Sequence, residues 1–184
     1  MRNKTLFSPL LFAAFLLTSC EFKCSVGDTT ADTEGKGKPV EKNGTLIYNG
    51  IKLETKEVSV KKAYLVVNDD SGEMVDEGNF VDIKKGVKLI IRTGDGWQVT
   101  DDRVWLGASM KVYSETGELL LDKPDMFSSY DETGIAAEDS KTLALSVYFS
   151  KFENKQPVSL DVVFKIWDKK SSALIEGSYT VHSK

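Results

Sequence analysis

The 184 residues carry 24 Lys and Arg against 28 Asp and Glu, a formal charge of −4, with one His and two Cys. That length suits one folded domain with an appended segment, and the acidic balance without a basic cluster argues against a nucleic-acid surface. One His and two closely spaced Cys leave neither a structural zinc set nor an imidazole-centred triad, so no metal site and no cofactor are expected.

Arg2 and Lys4 precede an apolar run from Leu6 to Leu17, interrupted only by Ser8 and Pro9. Positive charge before a short apolar stretch is an export signal, and the stretch falls short of the roughly 20 apolar residues that span a bilayer. It ends in Leu17-Thr18-Ser19-Cys20. This tetrapeptide resembles the lipobox of bacterial lipoproteins, which implies cleavage before Cys20, lipidation of Cys20, and the membrane as a partner held by that lipid. Several acyl chains, at about 0.8 kcal/mol per buried methylene, make such an attachment permanent in effect. The expected division is a signal peptide over 1–19, a lipidated disordered tether over 20–44 and a folded domain over 45–184. Loss of Arg2 and Lys4 moves the net charge from −4 to −6. Lipid rather than charge would then hold an acidic domain on an anionic membrane. Cys24 is left without an intramolecular partner, as a free thiol or an intermolecular disulfide site.

From Glu21 to Gly44 the chain is rich in Gly, Thr, Lys, Asp and Glu, with Phe22, Val26 and Val40 as its main large apolar residues. So little apolar surface does not offset the entropy of ordering, and a tether of this length sets a domain roughly 25–30 Å from its anchor. Within it, Asp28-Thr29-Thr30 resembles the short O-glycosylation motif of Bacteroidota, which implies Thr29 as the acceptor.

Short β-branched and aromatic runs begin at Thr45. Thr45 to Tyr48 and Ile51 to Glu54 flank Asn49-Gly50, a turn pair that tolerates positive φ and predicts an opening hairpin. Val58 to Val67 follows and stops at Asn68-Asp69-Asp70-Ser71-Gly72, whose side chains favour turns. Next come Phe80 to Ile83, Val87 to Arg92, the loop Gly94-Asp95-Gly96-Trp97, Val104 to Tyr113, the turn Ser114 to Gly117, and Leu119 to Leu121. Ile135 to Ser140 is the best helical candidate, one or two turns at most. The chain closes with Lys141 to Ser150, Val158 to Trp167 and Ala173 to His182, the last two joined by the predicted hairpin loop Asp168 to Ser172. In the first two of these, alternate apolar and polar residues predict antiparallel strands with one solvated face.

Roughly eight to ten short strands with frequent turns predict an all-β fold, an antiparallel two-sheet sandwich of immunoglobulin-like type, with an antiparallel barrel as the alternative. The runs from Trp105 through Leu120 and from Lys165 to Lys170 resemble stretches of Bacteroidota lipoproteins with a single β-sandwich domain. The resemblance implies location and fold without implying an activity. Acidic groups at Asp69, Asp70 and Glu73, at Asp101 and Asp102, at Asp122 and Asp125, and at Asp131 and Glu132 read as solvated turn carboxylates. His182 reads as a solvated strand end. Aromatics are the stronger binding candidates: Trp167, Tyr148 and Tyr113 fall on the nominally polar faces of their strands, and Trp97 sits in the Gly-rich loop. The expected protein is a non-catalytic, lipid-anchored module of the cell envelope at the outer membrane, binding a protein partner or glycan. The alternatives are an envelope hydrolase using acidic loop residues and a structural assembly component; the face of the membrane stays open.

Overall fold

Residues 22–26, 37–149 and 158–184 are described by a computed structural model. Period-two alternation resolves into two sheets. The first runs in the order β1 (Phe22–Val26), β12 (Thr142–Val147), β7 (Val87–Thr93), β5 (Val60–Val67), β3 (Thr45–Ile47) and β2 (Val40–Lys42). The second runs β10 (Leu119–Lys123), β9 (Leu106–Ser114), β13 (Ser159–Asp168), β14 (Leu174–Ser183) and β4 (Lys52–Lys56). Strand β6 (Phe80–Val81) lies parallel to the end of β14, and β8 (Arg103–Val104) forms a small ribbon with β11 (Ile135–Ala136). Neighbouring strands are antiparallel except β3 with β5 and β6 with β14. Inward residues of the first sheet, such as Leu65, Leu89, Ile91 and Leu145, meet Met110, Val162, Phe164 and Ile175 of the second in one core. Each such side chain contributes about 1.5–3 kcal/mol of burial. The fold is an all-β two-sheet sandwich, and neither sheet closes into a barrel.

The final hairpin forms as expected, with Ser159 opposite His182 and Trp167 opposite Leu174. Five expectations need correction. The Asn49-Gly50 turn forms, with φ of 56° and 61°, yet its flanks do not pair as a hairpin. β3 joins the first sheet and β4 the second, because the Asn49 side chain accepts the Leu65 N–H at 2.9 Å and donates to the Val75 carbonyl at 3.0 Å. These bonds hold the turn against β5 while the following chain crosses to the other layer.

The segment expected as a disordered tether contributes two strands. β1 pairs with β12 and β2 with β3, and both cover sheet edges whose backbone groups would otherwise stand open. The outward face of β12 is also not solvated. Thr142, Ala144 and Ser146 are buried, and Ala144 joins Tyr64, Val66, Ile90 and Met74 in a second apolar cluster on the outside of the first sheet. Met74 arrives there because the loop after β5 folds back, the Val67 N–H donating to Glu73 and the Val75 N–H to Leu65. Trp97, the fourth, belongs with the candidate site. The helical candidate at 135–140 is the short strand β11 followed by one 3-10 turn, Asp139–Lys141.

The sandwich has two distinct ends. Thr93, the loop 94–98, Asp168 and Leu106 meet at one end, where the Ser59 N–H donates to the Asp95 carbonyl and the Gln98 N–H to the Asp168 carboxylate. Val67, Val87 and Val147 end their strands at the other.

Candidate functional site

Trp167 lies one residue before the end of β13, where alternation turns it to the outer face of the second sheet, and its register partner on β9 is Gly107. Gly107 has no side chain, and the indole occupies the space that one would fill: a Cβ there would collide with Trp167 Cε2 and Cζ2. An aromatic ring over a cross-strand glycine restores the packing that the glycine gives up. The ring is half-buried, backed by main chain on one side. It lines a shallow depression of about 460 Å³ with Ser109, Lys165, Asp168, Ser171, Ser172, Ala173 and Leu174.

The loop at the rim is fixed by Asp168. This carboxylate is only 3% exposed and accepts the Gln98 N–H at 2.6 Å and the Lys170 N–H at 2.8 Å, while the Asp168 N–H donates to Ala173 at 3.0 Å. Ser172 is held by Glu57 through its hydroxyl. The polar rim is therefore preorganised, which lowers the ordering cost of binding. Trp105, two residues before Gly107 and of the same parity, carries the Lys170 ammonium 2.9 Å above its ring centroid, and its main chain accepts the Lys169 N–H at 2.7 Å. Sequence reasoning left Trp105 out of the candidates. The spacing Trp105, Gly107, Ser109, alternate positions of one face opposite Trp167, was the available signal.

The other aromatic candidates do not converge on this place. Tyr113 shares the outer face but lies opposite Asp161, about 20 Å along the strand from Trp167. Tyr148 follows the end of β12 in the first sheet. Trp97 is corrected from display to core: it is 8% exposed and packs in the main apolar cluster. Gly96, at φ 131°, lies so close to Glu57 and Val58 that a Cβ would strike their main chain, and this close approach swings Trp97 inward. Cys20 and Thr29 lie outside the described residues.

The acidic groups are held in turns and ion pairs. Lys169 bridges Asp125, at 2.6 Å, and Asp131; Lys111 pairs with Asp122 at 3.5 Å. Asp101 and Asp102 occupy positive φ in the turn before β8. Among the described residues no three His, Cys, Asp or Glu side chains come together to hold a metal. Asp69 accepts from the Ser71 hydroxyl and from Lys85, the latter at 2.9 Å, and these bonds hold its carboxyl down at about 2 from an ordinary 3.8. Because the folded-state value is the lower one, this interaction stabilises fully above about pH 4 and fades as pH falls toward 2. Asp69→Asn is expected to flatten a shallow loss of stability in that window; equal pH slopes for the variant and the parent in urea titrations would refute it.

A second, larger groove of about 750 Å³ runs between β2, β3, β4 and the end of β14. Tyr48, Asn49, Asn79 and His182 line it, with Glu54 and Glu77 exposed at its margin. His182 lies tilted against Phe80, ring centroids 5.3 Å apart. No protein-family model, curated protein or solved structure matches this chain.

Proposed function

We propose that this chain is a lipid-anchored module of the cell envelope at the outer membrane, held by Cys20, that binds a glycan at Trp167 without chemical conversion. The observation behind it is the indole laid over Gly107 in an open depression rimmed by Ser109, Lys165, Ser171 and Ser172. A sugar ring offers an axial C–H face to the negative face of an aromatic ring and hydroxyls to a polar rim, so a flat, backed indole with hydroxyl neighbours suits it. Fixing the rim through Asp168 before binding favours a rigid ligand over one that must be enclosed.

Titrating purified protein against a panel of soluble envelope polysaccharide fragments, read by tryptophan fluorescence and calorimetry, tests this. Trp167→Ala is expected to weaken binding about thirtyfold or more, the scale of an aromatic anchor. Undiminished binding by the folded variant would remove the site. A panel without a binder, together with one stoichiometric protein recovered by crosslinking in cells, would favour the protein-partner reading on the same surface.

The hydrolase reading keeps Glu54 and Glu77, which line the second groove, and Glu54, Glu57 and Asp95, which line a neighbouring depression. All four are exposed, whereas a general acid of raised pKa needs an apolar surround. The binding reading is preferred on that ground.

A further inference from the structure

The strand that follows the anchor decides where the domain sits. β1 pairs with β12 along its whole length, Phe22 opposite Val147 and Val26 opposite Leu143. One residue, Glu21, separates Cys20 from that strand. β1 and β2 occupy opposite edges of the same sheet, so residues 27–39 connect two strands of one layer and do not lengthen the path from anchor to domain.

We infer that β1 holds the domain directly on the lipid surface, with the end bearing Val67, Val87 and Val147 toward the membrane and the Trp167 end facing away from it. This rests on the reading that Cys20 carries lipid. Two residues of extended chain reach about 7 Å, against the roughly 25–30 Å of a free tether of the whole segment. The direction of β1 sets the polarity: Phe22, nearest the anchor, lies at the Val147 end, and Val26 runs toward Leu143. From Leu160 to Trp167 the second sheet extends a further 23 Å or so, which carries the depression outward.

The pairing has a physical reason. All six residues of β12 are buried, and without β1 its outer edge would present unpaired N–H and C=O groups along an apolar strand, a template for aggregation. The five residues of β1 supply those partners along the exposed edge. The membrane-facing turns need not supply attraction. Lys84 and Lys85 are exposed there, but Lys85 is paired with Asp69 and Asp70 lies beside them.

Contact quenching on vesicles tests the orientation. The lipidated mature chain, with Cys24→Ser, is labelled at Lys84→Cys or at Ser171→Cys and inserted into phosphatidylethanolamine and phosphatidylglycerol vesicles bearing nitroxide headgroups. The expected result is loss of label fluorescence at 84 and unchanged fluorescence at 171. The double change Cys24→Pro with Ser25→Pro removes a ladder N–H whichever parity donates, and it should abolish the difference while urea unfolding shows the domain still folded. Equal quenching at both sites in the parent overturns the inference. Palmitate labelling separates the two readings. Label lost in Cys20→Ser keeps the anchor reading whatever the quenching shows, and label retained in that variant defeats the anchor itself.

Discussion

Asn79→Ala is expected to lower the unfolding free energy by about 3–5 kcal/mol, read as an early urea midpoint with an unchanged slope. Asn79 is 8% exposed and its amide nitrogen donates to the Asn49 and Thr180 carbonyls, both at 2.8 Å. Its side-chain oxygen accepts from the Asn49 amide at 3.1 Å. These bonds join the turn between β3 and β4 to β14, while Asn49 continues the chain of bonds to Leu65 and Val75. Both layers of the sandwich are therefore tied at one point. Alanine leaves two carbonyls and one amide short of partners, each costing about 1–3 kcal/mol where water does not reach. The backbone adds a second cost, since φ at 79 is 55°, a region that disfavours Ala by about 1 kcal/mol. Asn79→Gly relieves that second cost alone and should recover about that amount. A loss below about 1 kcal/mol for Asn79→Ala would show that the knot contributes little.

Trp97→Ala is expected to cost about 3–5 kcal/mol of stability. The ring fills the core between the sheets at the loop-rich end, and alanine would leave a cavity that the neighbouring strands cannot close. Trp97→Phe makes the argument specific. Among the described residues no acceptor meets the buried indole N–H, so phenylalanine retains most of the apolar burial while discarding an unsatisfied donor. Its cost should stay under about 1.5 kcal/mol. Thermal unfolding followed by circular dichroism measures both. An alanine variant as stable as the parent would place Trp97 outside the core.

Much of the strand pattern was legible because strand formation is written in short-range periodicity. Leu160, Val162, Phe164 and Ile166 alternate with outward residues, and β13 buries that set. Turn chemistry was legible for a similar reason, since Asn49 and Gly50 adopt positive φ as their side chains allow. What was not legible was the destination of each chain segment. The same Asn-Gly pair serves a hairpin or a crossover, and the Leu65 N–H, sixteen residues on, decides between them. Gly94 and Gly96 marked a loop, but the loop's contact with Glu57 and Ser59 made Trp97 a core residue.

The candidate site divides in the same way. That Trp167 stands on an outer face follows from parity along β13. That it lies over Gly107, from a strand sixty positions earlier, depends on the register between β13 and β9. By itself the sequence determined the all-β class, the turn positions and the inward and outward parity of the long strands, because each follows from neighbours a few residues apart. Tertiary structure alone decided which edges β1 and β2 cover, which tryptophan is buried and which is offered, because those outcomes depend on hydrogen bonds and packing between residues distant in the chain.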